Sequence, residues 1–136
     1  MYSVSHPAGL PDLFIDRSLG RVKVPRILRN AGLRVTTLAE HYGIPADEGV
    51  PDTAWLELAG RRGWVVFAKD KRVRYNTAEQ LVIARFGVRY FYLSRRDLTA
   101  EEMSHRFLTN LQRITAACQN PGPMIYAVHA NRIEAI

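Results

Sequence analysis

Three aspartates stand at the ends of predicted structural elements. Asp16 follows the run 13–15, Asp70 follows the run 64–68 and Lys69, and Asp52 opens a helix-like stretch behind Pro51. In open α/β folds, the residues at the carboxyl ends of buried strands face the ligand. Because a hard cation such as Mg²⁺ prefers carboxylate oxygens, two such strand ends beside a helix start predict a divalent-metal site.

Each acid also has a simpler interpretation when it is taken alone. Asp52 suits the N-terminus of a helix, where a carboxylate accepts free amide protons and meets the positive end of the dipole. Asp70 suits a turn before Lys71, and Asp16 suits an ion pair with the adjacent Arg17. The metal-site hypothesis rests on the combination of three acids from separate elements.

Charge is segregated along the middle of the chain. Residues 47–57 contain four acids and no base, whereas residues 61–74 contain six bases and one acid, Asp70. An acidic pocket beside a basic lip is what metal-dependent phosphodiester cleavage requires, although an isolated basic run is also typical of a solvated face. The aromatic side chains Trp64, Tyr75 and Tyr92 suit either stacking on unpaired bases or packing in the core.

The composition is that of a basic globular protein. The 136 residues suit one domain with a real core, and 47% of them are apolar. The net charge is +6, and 16 of the 19 basic residues are arginine, whose planar guanidinium matches phosphate oxygens. A polyanionic partner is one hypothesis for this excess, and coding bias is the other.

Compartment and thiol chemistry follow from simpler features. The single cysteine, Cys118, excludes an intramolecular disulfide and a thiolate cluster for zinc. The first ten residues lack the pattern of a secretion signal, and no apolar stretch approaches the roughly 18 residues of a membrane span. We therefore expect a soluble, cytoplasmic protein without a membrane partner.

Apolar periodicity predicts alternating strands and helices. A long loop is expected over residues 39–51, and capping boxes at Thr77 with Gln80 and at Thr99 with Glu102 mark two helix starts. Strands are expected at 13–16, 33–38, 64–68, 89–93 and 124–128, and helices at 20–31, 52–62, 77–87 and 99–118. This alternation predicts an α/β fold with a mainly parallel central sheet flanked by helices on both faces.

Segments 14–20, 50–56 and 63–71 resemble the PIN-like nuclease domains, in particular the compact branch that includes VapC-type toxins of toxin-antitoxin modules. The shared pattern is an aspartate after the first strand, an aspartate that opens a later helix, and an aspartate closing the next strand. It covers residues 13–71, and beyond them the likeness is mainly one of fold. The resemblance implies a single compact PIN-like domain over residues 1–136, with a core at about 11–130.

The resemblance further implies a metal-dependent ribonuclease in which Asp16, Asp52 and Asp70 bind Mg²⁺ or Mn²⁺. Its partners would be RNA and a cognate antitoxin protein, with which it would form an oligomer. Larger relatives carry another acid, for which Glu40 is the nearest candidate and Glu57 a weaker one, and Ala68 stands where a hydroxyl residue is common. The positions expected to contact the RNA backbone are Arg17, Lys69, Lys71, Arg72 and Arg74.

Two alternatives stay open from the sequence. One is a catalytically weak or inactive PIN-like module that binds RNA or a partner protein, for which the missing fourth acid is the indication. The other is a structural protein whose acids only cap helices and form ion pairs. A metal effect on stability would separate the second alternative from the nuclease.

Overall fold

The computed structural model describes residues 5–69 and 71–136 and contains one six-stranded sheet. The strands are β1 (Leu13–Ile15), β2 (Val35–Thr37), β3 (Val65–Ala68), β4 (Arg89–Leu93), β5 (Met124–Val128) and β6 (Ile133–Ala135). Their order across the sheet is β2-β1-β3-β4-β5-β6, with parallel pairing throughout except between β5 and β6. The helices are α1 (Lys23–Asn30), α2 (Leu38–Tyr42), α3 (Asp52–Arg62), α4 (Thr77–Phe86), α5 (Ala100–Thr109) and α6 (Leu111–Ala117).

Both faces of the sheet are buried, which explains why the central strands are continuous apolar runs. In β3, Val65 and Phe67 point into the layer formed with α1, α5 and α6, where Phe67 stacks on Phe107 at 4.1 Å between ring centroids. Val66 and Ala68 point into the opposite layer, which also contains Trp55 of α3. The predicted α/β class, with a mainly parallel sheet flanked by helices, is confirmed.

The parallel register aligns the carboxyl ends of the central strands. Ile15 of β1 lies opposite Phe67 of β3, and Phe67 lies opposite Phe91 of β4. The residues that follow β1, β3 and β4 therefore share one edge of the sheet, as expected for a ligand site in such folds. None of the helices in the described part of the chain is long and apolar enough to cross a membrane.

The segment predicted as a strand at 33–38 and a loop at 39–51 is different in the structure. The strand is only Val35–Thr37, and α2 follows it directly. Thr37 and Glu40 form a capping box, because each side chain accepts a hydrogen bond from the other's backbone N–H. This pair starts a helix within a β-branched run that by itself favours a strand.

Two further helix predictions need correction. Asn76, and not Thr77, caps α4, since its side chain accepts a hydrogen bond from the backbone N–H of Glu79 at 3.0 Å. The predicted helix 99–118 begins at the expected Thr99 cap but is divided into α5 and α6 at Asn110. The buried amide of Asn110 donates to the carbonyls of Arg106 and His129 and so fixes the break against the end of β5.

Candidate active site

Asp16 lies at the carboxyl edge, directly after β1. Its backbone N–H donates to the carbonyl of Phe67 at 3.0 Å, so the residue is held to β3, and its side chain is buried at 5% exposure. Ser18, in the short 3₁₀ helix Arg17–Leu19, donates its hydroxyl to Asp16 Oδ2 at 2.6 Å and accepts the backbone N–H of Lys69 at 3.0 Å. Ser18 thereby connects the ends of the two strands and fixes the carboxylate.

The other oxygen of this carboxylate is unpartnered. Asp16 Oδ1 is buried and has no hydrogen-bond partner among the residues that the structure describes. Burial raises the pKa of Asp16 above its ordinary value, the hydrogen bond from Ser18 opposes the rise, and the negative charge of Asp52 adds to it. An unpartnered buried acceptor near a second carboxylate is an environment that a cation would stabilise.

Asp52 is the first residue of α3, and two side chains fix its Oδ1 atom. The indole N–H of Trp55 and the guanidinium of Arg17 both donate to this oxygen at 3.0 Å. Because Trp55 is only 2% exposed, the core anchors one of these donors. The sequence allows Asp52 to be a helix-start residue or a site acid, and its position at the start of α3 accommodates both.

Arg17 holds the loop that leads to Asp52. Besides Asp52, its guanidinium donates to the backbone carbonyls of Asp47, Glu48 and Val50. Arg17 thus ties the loop to the end of β1, and its contacts in the structure are internal to the protein. Contact between Arg17 and RNA stays a prediction that these hydrogen bonds do not favour.

The two carboxylates open into a common pocket of about 600 Å³. The residues that line it are Asp16, Arg17, Ser18, Glu48, Gly49, Val50, Pro51, Asp52 and Arg72. Asp70, the third predicted ligand, lies outside the described residues. Within residues 5–69 and 71–136, no group of three or more His, Cys, Asp and Glu residues is placed to hold a metal ion.

The two candidates for an additional acid lie outside this pocket. Glu40 pairs with Arg29, which lowers the pKa of Glu40, and serves the cap of α2. Glu57 pairs with Arg61 one turn further along α3. Glu48 does line the pocket, although its carboxylate accepts a hydrogen bond from Arg21 at 2.7 Å. Its place in the acidic segment 47–57 is the sequence signal for it.

A basic pocket of about 380 Å³ adjoins the acidic one. Its lining residues are Ser18, Lys69, Lys71, Arg72 and Arg96, and Ser18 and Arg72 belong to both pockets. Three of the predicted RNA contacts therefore lie together, and the sequence reasoning missed Arg96. The sequence signal for Arg96 is its position three residues after β4, at the same edge of the sheet.

Arg74 is separated from the other predicted contacts. Its guanidinium lies 5.9 Å from the ring centroid of Tyr75, and its charge partly opposes the rise that burial causes in the pKa of Tyr92. It lines neither pocket, so its contact with RNA stays a prediction without support from this geometry. Trp64 stacks on Phe14 at 5.0 Å, and Tyr92 is 2% exposed, which places both aromatic rings in packing roles.

The donor set fits a hard divalent cation. Asp16 supplies a buried oxygen without a partner among the described residues, and Asp52 supplies a second carboxylate whose orientation is fixed by Trp55 and Arg17. Oxygen donors of this kind are those that Mg²⁺ and Mn²⁺ take in proteins. No His or Cys side chain lines either pocket in the described part of the chain, so a softer metal is not favoured.

Comparison with known proteins identifies the family of this chain. The family model described as "PIN like domain" matches residues 11–95. The protein named "Putative ribonuclease VapC45" from Mycobacterium tuberculosis (strain ATCC 25618 / H37Rv) is 41% identical over 129 residues, which cover 95% of this chain and 94% of that protein. No solved structure matches the chain significantly. The chain therefore belongs to the PIN-like domain family, in its VapC-type branch.

Proposed function

We propose that this protein is the ribonuclease toxin of a toxin-antitoxin module and hydrolyses RNA phosphodiester bonds. The observation that carries the proposal is the buried Asp16 Oδ1, which has no hydrogen-bond partner among residues 5–69 and 71–136, lies in one pocket with Asp52 and is beside a pocket lined by basic side chains. The name of the mycobacterial relative, which specifies a ribonuclease, supports the same activity.

In this proposal, Asp16, Asp52 and Asp70 hold Mg²⁺ or Mn²⁺. A divalent ion, when bound there, supplies positive charge to the reacting phosphate and lowers the pKa of water. Ser18 keeps the Asp16 carboxylate oriented, and Trp55 keeps Asp52 oriented.

The cationic side chains have a separate task. Lys69, Lys71 and Arg72 bind the RNA backbone, which positions the substrate without selecting its sequence. Arg72 lines both pockets and would thus bind the backbone where it passes from one pocket to the other. Arg17 supports the reaction through the loop and Asp52, so its role is positioning.

A catalytically weak or inactive module is the second candidate. It is favoured by one observation, that Glu40 and Glu57 lie outside the pocket, bound to Arg29 and Arg61. Such a module would bind RNA or a partner protein through the same basic pocket and would leave the RNA intact.

The toxin proposal also implies a partner and a compartment. A cognate antitoxin would place a cationic side chain against Asp16 and Asp52, where it competes with the metal, and would form an oligomer with this chain. Its RNA substrate puts the activity in the cytoplasm. Expression of the chain alone should arrest growth, and coexpression with the antitoxin should restore it.

Cleavage of structured and unstructured RNAs by the pure protein tests the activity. We expect cleavage with Mg²⁺ or Mn²⁺, none with a chelator, and a loss of at least about 100-fold in rate for Asp52→Asn, as for removal of a key electrostatic group. Glu57→Gln is the matched control, because it neutralises another acid of α3 outside the pocket. A folded wild-type protein that binds RNA but cleaves none with either metal would establish the inactive module.

A further inference from the structure

Arg96 lies at the same edge of the sheet as Asp16, but it follows β4, whereas Asp16 follows β1. In the register of β3 and β4, Ala68 lies opposite Tyr92. Lys69 follows Ala68, and Arg96 follows the end of β4 by three residues, so the two cations reach one pocket from neighbouring strands. Arg96 thus lines the basic pocket although it lies outside the basic run 61–74.

The side chain of Arg96 is exposed and, among the described residues, makes no hydrogen bond or ion pair. The preceding Arg95 is different, because it pairs with Asp97 at 2.8 Å. None of the described residues that line the basic pocket is acidic. The cations Lys69, Lys71 and Arg96, which line this pocket, repel one another, and an anion would relieve this repulsion.

We infer that the basic pocket binds a second phosphate of the RNA backbone, adjacent to the phosphate held at the acidic pocket, and that Arg96 binds this second phosphate. The inference rests on the proposed function. The two pockets share Ser18 and Arg72, so a polynucleotide with one phosphate beside Asp16 continues directly into the basic pocket. A planar guanidinium can donate two parallel hydrogen bonds to such a phosphate.

This path across the surface differs from one along the basic run. A backbone that followed the run would pass Arg74, whose guanidinium lies over the ring of Tyr75 and which lines neither pocket. The path through the shared residues instead runs from Asp16 toward the end of β4. The substrate class is therefore a chain with at least two consecutive phosphates, for which a single nucleotide is too short.

The test compares Arg96→Gln with Arg95→Gln, two neighbouring variants with the same change of charge. Binding of a labelled single-stranded oligouridylate is measured in a chelator, where no cleavage occurs, at several salt concentrations. Arg96→Gln should raise Kd severalfold and reduce the slope of log K against log salt by about 0.7, the value for one phosphate contact on a single strand. Arg95→Gln should leave the slope unchanged.

A second probe tests whether a single phosphate makes this contact. The dinucleotide UpU has one phosphate, and in a chelator no metal draws that phosphate to Asp16 and Asp52, so it should bind in the basic pocket. NMR titration should therefore show weaker binding of UpU to Arg96→Gln than to the wild type or Arg95→Gln. Unchanged UpU binding in Arg96→Gln, equal loss in both arginine variants, or an unchanged salt slope in Arg96→Gln would each overturn the inference.

The binding and cleavage measurements can refute the phosphate site and the nuclease proposal separately. If the wild type cleaves no RNA but Arg96→Gln shows the expected loss of binding, the nuclease proposal fails and the phosphate site stands. If the wild type cleaves RNA and Arg96→Gln binds oligouridylate as tightly as the wild type, the phosphate site is overturned and the nuclease proposal stands.

Discussion

Replacement of Asp16 by Asn should stabilise the protein when divalent ions are removed. A buried polar atom without a hydrogen-bond partner lowers the stability of the folded protein by roughly 1–3 kcal/mol, and by more if the group is charged. Asn retains an oxygen for the hydroxyl of Ser18 and removes the charge, but it leaves one buried amide group unpaired. The free energy of unfolding at pH 7 should therefore rise by about 1–2 kcal/mol, the part of the cost that belongs to charge.

The pH dependence of this gain follows from the direction of the shift. Burial raises the pKa of Asp16 above 3.8, so the folded protein holds a proton that the unfolded chain has released. The contribution of Asp16 to stability is then full below pH 3.8 and is lost as the pH rises through the pKa of the folded state. The advantage of Asp16→Asn over the wild type should be absent at about pH 3.5 and should grow toward neutral pH.

Urea unfolding of the two proteins in a chelator, between about pH 3.5 and pH 8, measures the difference in their free energies of unfolding. The difference is taken from the transition midpoints, provided that the dependence of the free energy on urea concentration, m, is the same in both. Asp47→Asn is the control, because Asp47 is buried but paired with Arg21, which lowers its pKa. The contribution of Asp47 is present above pH 3.8 and lost on acidification, so the control variant should lose stability at neutral pH. If Asp16→Asn also loses stability at neutral pH, or if its effect does not change with pH, the buried charge of Asp16 does not destabilise the folded protein.

Two other predictions concern a helix cap and the cysteine. Asn76→Ala should lower the free energy of unfolding by about 1 kcal/mol, because it removes the N-cap of α4. Thr77→Ala should lower it by clearly less. A larger loss in Thr77→Ala than in Asn76→Ala, measured by urea unfolding, would contradict the assigned cap. Burial raises the pKa of the Cys118 thiol to about 11. A thiol reagent at mildly alkaline pH should therefore label Cys118 only after the protein unfolds. Rapid labelling of the folded protein would disprove the burial of this thiol.

The sequence is most informative where burial on both faces determines residue type. The segments 13–15, 65–68 and 89–93 are recognisable as strands because their side chains alternate between two apolar layers. Parallel strands place Asp16 at the carboxyl edge, and the same local reasoning places Asp52 at the start of α3. These predictions need only periodicity and helix-end chemistry.

The features that the sequence does not reveal are of two kinds. Some depend on competition between local structural preferences, and others bring together residues that are far apart along the chain. At Thr37 and Glu40 a capping box overrides a β-branched run, and Asn76 competes with Thr77 for one cap. Strand β6 is three residues long and pairs at the edge, so it carries little pattern of its own. Ser18, Lys69 and Arg96 line one pocket but follow three separate strands, and spacing along the chain does not encode this arrangement.

The arginine excess has two uses in this fold, and they predict different behaviour. Arg17, Arg21 and Arg29 pair with Asp52, Asp47 and Glu40, so their charge is largely neutralised by internal carboxylates. Net charge alone is therefore a poor guide to the RNA surface. The property that distinguishes a phosphate contact is a cation that lines the basic pocket without an acidic partner among the described residues, and Arg96 meets this condition. It follows that removal of Arg17 should act through the loop and the position of Asp52, whereas removal of Arg96 should act on the salt dependence of RNA binding.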